Sequence, residues 1–297
     1  MSTLAASTVA ALHAAGLDPE PVAGIVAGAL AEDLGPTMLD VTSVATIPAD
    51  QVDVADLVAR ADGVVAGLAV AQAVFDRASG GTARFEPAVH DGVRVHRGDR
   101  LATVTGSTRS LLTAERTALN LLCRMSGVAT HTRTWADALA GTTAMVLDTR
   151  KTTPGLRLLE KYAVRVGGGT NKRMGLYDVA MVKDNHKVAA GGVAAAYRRV
   201  REAYPEVPVQ VEVTTAAEAE EAVQAGATFL LCDNMSPALL AEVVAAVGDR
   251  AELEATGGLT LAVAAEYART GVDYLSVGAL THSSPILDIA LDLRPRR

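Results

Sequence analysis

Residues 209–258 read VQVEVTTAAEAEEAVQAGATFLLCDNMSPALLAEVVAAVGDRAELEATGG. Three short apolar runs stand out. The first carries Glu212, the second ends on Asp233, and the third ends on Gly257 and Gly258. Alanine-rich stretches at helical spacing, AAEAEEAVQAGA and PALLAEVVAAVGD, separate them. A spacing of about twenty residues per unit is that of a strand plus a helix.

The rhythm extends outward on both sides. AMVLDTRK ends on Arg150 and Lys151, VAMVKDNH carries Lys183, and YLSVGAL carries Gly278. This pattern predicts a parallel α/β barrel, in which reacting groups stand at the C-terminal ends of the strands. A doubly wound open sheet shows the same rhythm. Charged residues after so many successive strands favour the barrel.

The N-terminal part reads differently. VAGIVAGALAEDLG is helical in spacing and stops at Gly35. RFEPAVHDGVRVHRGDRLATVTGS has short alternating runs broken by DG and GD turns, which suits an antiparallel sheet. TRSLLTAERTALNLLCRMSGVATHTRTWADAL predicts one or two amphipathic helices leading out of this region.

Charge is unevenly placed. Residues 150–187 hold nine Lys or Arg against three Asp or Glu, in a chain of formal charge −7. The cations fall in clusters: Arg150 with Lys151, Lys172 with Arg173, and Lys183 with His186 and Lys187. Separated clusters suggest a pocket for an anion, whereas one continuous block would suggest a disordered arm. A 3% aromatic content argues against a stacking surface for single strands, and the negative charge argues against a general polyanion binder. No nucleic acid partner is expected.

With 49% hydrophobic and 21% charged residues, the 297-residue chain can build a substantial core. The start of the chain lacks a basic segment followed by an apolar one, and no run of about 18 apolar residues occurs. A cytoplasmic protein without a membrane span is expected. Cys123 and Cys232 read as buried free thiols, and neither CxxC nor HExxH occurs.

Several candidate residues follow. Glycines in ATGG and SVGA let backbone N–H groups approach a phosphate, or simply make tight turns. Glu212 and Asp233 suit ribose hydroxyls or a Mg²⁺ that keeps its waters, or one of them balances nearby cations. Gly167–Gly169 reads as a phosphate nest or as a loop positioning Lys172 and Arg173. His186 reads as an acid or base, or as a cap. Glu160 and Lys161 read as a solvated helix face.

These motifs, in order, resemble the quinolinate phosphoribosyltransferase family, the carboxylating nicotinate-nucleotide pyrophosphorylases. The resemblance runs from ALAEDLGPTMLDVTS through AERTALNLLCRMSGVAT, DTRKTTPGLRLLEKYAVRVGGG, NKRMGLYDVAMVKDNH, VEVTT, LLCDN and EATGG to SVGALTHSSPILDIALDL. It implies an N-terminal α/β sandwich domain over residues 1–118, joined by a returning tail at 284–297, and an incomplete parallel α/β barrel over 119–283. It implies phosphoribosyl transfer to quinolinate with decarboxylation, feeding NAD synthesis.

By the same resemblance, Thr149, Arg150, Lys151, Lys172, Arg173 and Lys183 would bind quinolinate and pyrophosphate. Glu212 and Asp233 would hold the ribose of phosphoribosyl pyrophosphate and, through water, its Mg²⁺. Thr256, Gly257, Gly258, Val277, Gly278 and Ala279 would hold the 5′-phosphate. Lys151, Glu212 and Asp233 are the implied catalytic set. A homodimer is implied, with Arg116 reaching the neighbouring site. Members commonly read Asn-His-Arg where this chain has Asn171, Lys172 and Arg173, and many have Ser at the place of Thr256. Two other readings remain: a related phosphoribosyltransferase with a different acceptor, of the molybdenum-transport-associated type, and a non-catalytic sensor of phosphate ligands.

Overall fold

The computed structural model describes residues 4–295. In chain order the elements begin α1 (Ala6–Ala14), α2 (Pro19–Leu34), α3 (Val41–Thr46), β1 (Val52–Ala59), β2 (Gly63–Val64) and α4 (Leu68–Ser79). Then come β3 (Arg84–Pro87), β4 (Arg94–Val95), β5 (Arg100–Ser107), α5 (Thr108–Ala138), β6 (Met145–Leu147) and α6 (Arg157–Val166). Next are β7 (Ala180–Val182), α7 (Asp184–Ala190), α8 (Val193–Ala203), β8 (Val209–Val213), α9 (Ala216–Gln224) and β9 (Phe229–Asp233). The chain closes with α10 (Pro237–Val247), β10 (Glu252–Thr256), α11 (Leu261–Ala268), β11 (Tyr274–Ser276), α12 (Ala279–His282) and β12 (Ile289–Leu293).

Two compact units emerge. The first takes the described residues as far as His131, Thr153–Gly167, and the segment from Ser284 on. The second takes Thr132–Thr152 and Gly168–Ser283. The boundary expected at 118/119 falls inside α5, which runs as one helix from Thr108 to Ala138.

The first unit holds an antiparallel sheet in the order β12-β1-β5-β3. The C-terminal segment returns to it, pairing Ile289 with Ala59 and Leu293 with Ala55. Leu12, Val26, Val74, Leu57 and Leu101 are buried in this unit. Local chemistry sets its helix ends. Asp18 accepts from Glu20 N ahead of α2, with Pro19 at the first helical position, and Gly35 stops it at φ 63°.

One expectation is corrected by this unit. Glu160 and Lys161 are not a solvated face; they are 0% and 1% exposed. Glu160 accepts from Arg124 Nη2 at 2.8 Å, from Thr153 N at 3.0 Å and from Thr153 Oγ1 at 2.7 Å. A buried carboxylate satisfied this fully ties the start of α6 to α5.

The second unit is a parallel sheet in the order β6-β11-β10-β9-β8-β7. Each strand from β7 to β10 neighbours its sequence successor, and β11 pairs with β6, the first strand of the unit. A doubly wound sheet reverses its order at a switch point. This order instead runs round to its own beginning, which is barrel topology. Closure is incomplete: β6 and β7 do not pair, and an isolated bridge, Leu147 to Thr170, stands in the gap. Apolar Val211, Leu230, Leu253 and Leu275 are buried along the strands.

Candidate active site

After β8 and β9 the chain makes a polar turn that also starts the next helix. After β8, Thr215 accepts from Glu218 N and caps α9. After β9, Asn234 adopts φ 52° and Ser236 caps α10 by accepting from Leu239 N. The chain must turn sharply at these points, and short polar side chains satisfy the helix amides. Glu212, Asp233 and Thr256 are therefore presented at one end of the sheet.

A cavity of about 670 Å³ opens at that end. Thr149, Arg150, Lys151, Lys172, Arg173 and Lys183 line it, together with Glu212, Asp233, Thr256, Gly257, Gly258, Val277, Gly278 and Ala279. Arg116 is exposed on α5 and is not among the lining residues. Met181, Leu231, Asn234, Leu259, Ser276 and His282 also line it and were not anticipated from sequence. Leu231 and Met181 sit in strands whose alternation could have shown them facing inward with Asp233 and Lys183.

The charges are organised rather than merely close. Lys183 Nζ donates to Glu212 Oε2 at 3.0 Å, and the Glu212 side chain is only 10% exposed. Lys172 Nζ donates to Glu254 Oε1 at 2.5 Å. Asp148, fully buried, accepts from Asn171 Nδ2 at 2.6 Å and Lys172 N at 2.8 Å, fixing that loop. Arg173 Nη1 donates to Val179 O at 2.9 Å. Asp178 accepts from the amides of Met174, Gly175 and Val179, closing the loop between Arg173 and β7.

Crowding of cations has a visible effect. Burial, then the charge of Arg150, pulls the Arg173 guanidinium below its ordinary value. Burial also lowers Lys172; Lys183 and Arg173 add to this, while Glu254 opposes it. Such strain among like charges is relieved by an anion in the cavity.

Gly257 is required for space, and Gly278 is closely approached. A Cβ on Gly257, at φ +98°, would lie in severe collision with Asn234 Oδ1. A Cβ on Gly278 would lie 3.1 Å from Lys151 Cδ and 3.2 Å from His282 Nε2. The run Gly167–Gly169 contributes nothing to the cavity lining; Gly167 ends α6 and the chain then reaches the Thr170 bridge. His186 is exposed and accepts from Lys183 N at 3.0 Å, so it serves as a cap for α7.

Comparison with known proteins agrees with this geometry. Residues 40–126 match the N-terminal domain of quinolinate phosphoribosyl transferase, and residues 128–292 match its C-terminal domain. The chain belongs to the quinolinate phosphoribosyltransferase family. One family relative, the carboxylating nicotinate-nucleotide pyrophosphorylase of Mycobacterium leprae, is 51% identical over 260 residues, covering 86% of this chain and 91% of that protein. The decarboxylating quinolinate phosphoribosyltransferase 1b of Nicotiana tabacum is 41% identical over 289 residues, covering 91% and 81%. Among solved structures, NadC from Streptococcus pyogenes has a TM-score of 0.90 at 39% identity, covering 94% of this chain and 98% of that one. Among the described residues, no helix is long and apolar enough to cross a membrane.

Proposed function

We propose that this quinolinate phosphoribosyltransferase family member transfers the phosphoribosyl group of phosphoribosyl pyrophosphate to quinolinate and releases CO₂. The products are nicotinate mononucleotide, pyrophosphate and CO₂, in de novo NAD synthesis. The observation that carries this reading is the single cavity in which Arg150, Lys151, Lys172, Arg173 and Lys183 face Glu212 and Asp233. One donor substrate and a dicarboxylate acceptor together bring several negative charges and a ribose. Cations suit the first, and strand-end carboxylates accept hydrogen bonds from the second.

In this reading Arg150 and Arg173 grip the acceptor's carboxylates, using the planar fork of the guanidinium. Glu212 and Asp233 orient the ribose hydroxyls. The backbone at Thr256–Gly258 and Val277–Ala279 holds the 5′-phosphate, where the missing Cβ of Gly257 and Gly278 keeps the approach open. The pyridine nitrogen forms the bond to ribose C1 as the bond to pyrophosphate breaks. Lys151 and Lys183 stabilise the departing negative charge from fixed positions. The ring is then a pyridinium. When CO₂ leaves, the electron pair of the broken bond remains on the ring carbon. That carbon takes a proton from the Lys151 ammonium, which solvent restores.

Mg²⁺ fits this site as a companion of the substrate. Among the described residues no group of three or more His, Cys, Asp or Glu could hold a metal. Glu212 and Asp233 offer two carboxylates, and Mg²⁺ commonly binds one or two with waters and substrate phosphates. Bound in this way, it would neutralise the pyrophosphate. We propose also that the protein works in the cytoplasm as a homodimer, with Arg116 of one subunit completing the site of the other.

The test is a turnover assay with quinolinate, phosphoribosyl pyrophosphate and Mg²⁺, following nicotinate mononucleotide and CO₂. Nicotinate in place of quinolinate gives no CO₂ and little product if the reading is right. Product from another acceptor, with none from quinolinate, would overturn it.

A further inference from the structure

We propose that Glu254 is a positioning residue for the reaction, holding Lys172 as a charged ammonium aimed at the acceptor's carboxylates. This rests on the reading of the cavity as the quinolinate site. Glu254 acts through another side chain: Lys172 lines the cavity and Glu254 does not.

The arrangement is unusual in its burial. The Lys172 side chain is 8% exposed and that of Glu254 is 0% exposed. An isolated buried ammonium loses its proton rather than remain charged. Three influences push Lys172 that way: its burial, and the charges of Lys183 and Arg173. The attraction of Glu254 opposes them. Two other acids nearby are engaged in contacts of their own. Glu212 is occupied by Lys183. Asp148 accepts from the Lys172 backbone amide. Burial, then the Glu254 charge, pushes the Cys232 thiol on β9 up to about 12, so it stays neutral.

Glu254 is also placed for this purpose. It lies two residues before Thr256 on β10, so both side chains belong to the same face of the strand. Its Oε2 is buried and has no hydrogen-bond partner. A buried carboxylate oxygen left unmatched is costly. The cost is accounted for if the charge itself is needed to keep Lys172 protonated when quinolinate binds.

The test uses the full-length protein with ¹³Cε-labelled lysine, the Lys172 signal being assigned by its loss in Lys172→Met. In Glu254→Gln the Lys172 titration moves to lower pH than in the wild type. Quinolinate binding, measured by calorimetry, weakens by about tenfold more between pH 7 and pH 9 in Glu254→Gln than in the wild type. An unchanged Lys172 titration, or a loss of binding equal at every pH, overturns the proposal. If Glu254→Gln does not fold, Glu254→Asp decides. The shorter side chain keeps the charge but draws it back from Lys172 Nζ, so the Lys172 titration moves to lower pH than in the wild type; an unchanged titration rejects the idea. Failure of the wild type to bind quinolinate at all would instead sink the proposed function, while the lysine titration would still show whether Glu254 holds Lys172 in its charged form.

Discussion

Lys183 and Glu212 form an ion pair across neighbouring strands, Nζ to Oε2 at 3.0 Å, with the carboxylate buried and the lysine half exposed. The pair links the cation following β7 to the acid on β8. The contact holds both groups at that end of the sheet, Glu212 from within β8 and Lys183 from the turn after β7.

Glu212→Ala and Asp233→Ala are expected to impair use of phosphoribosyl pyrophosphate. Loss of one hydrogen bond to a charged group costs about 1.5–3 kcal/mol, or roughly ten- to a hundredfold in KM for that substrate. Steady-state kinetics at limiting Mg²⁺ check this. Full activity in both variants removes the assigned role.

Arg150→Ala and Arg173→Ala should act on the other substrate. Quinolinate KM rises by about tenfold or more as a bidentate carboxylate contact is lost, while KM for phosphoribosyl pyrophosphate changes less. Near-normal quinolinate affinity in both variants contradicts the assignment.

Gly257→Ala places a methyl group against Asn234 Oδ1 at a backbone φ of +98°. Stability should fall by about 1–3 kcal/mol from the backbone alone, with the collision in addition. Gly258→Ala meets no atom within 4 Å and has φ +57°, so its cost is only the left-handed penalty of about 1–2 kcal/mol. Urea unfolding of the two variants gives the comparison, and an equal loss in both would show that Asn234 moves aside.

Asp178 predicts a pH effect confined to acid. Burial raises its pKa, but the amides of Met174, Gly175 and Val179 outweigh this and leave the carboxyl below its ordinary value. A depressed folded pKa gives stability that is complete above the unfolded value of about 3.9 and disappears as pH falls through the folded one. Urea midpoints for Asp178→Asn should lie below the wild type at pH 7 and converge with it as pH drops below about 4. A constant gap over that range would rule out the carboxylate charge as the cause.

Arg116 offers a test of the proposed shared site. Arg116→Ala and Glu212→Ala homodimers should each be impaired. Subunits mixed and exchanged at random should recover about a quarter of native sites, since half the dimers are mixed and each has one complete site. No recovery after demonstrated exchange would place Arg116 outside its partner's chemistry.

Some of this was legible in the chain itself. Alternating apolar runs and alanine-rich stretches mark the parallel strands and their helices, because backbone periodicity is a local property. Glu212, Asp233 and Gly257 are visible because each interrupts an apolar run at a strand end. Gly35 is visible as a helix stop. Glu160 is not, because a helix of this spacing looks solvated until Arg124, 36 residues away in sequence, is placed beside it.

The amino-acid order alone therefore specified the succession of strands and helices, the clustering of cations and the family to which the chain belongs. Folding in three dimensions was needed to bring β11 back to β6, to rest Lys172 on Glu254, and to make His186 a helix cap instead of a cavity residue. The difference is one of range. Propensity and periodicity act over a few residues, whereas a buried charge finds its partner only after the strands have curled together. Lys172 and Glu254, 82 residues apart, meet only in the folded barrel.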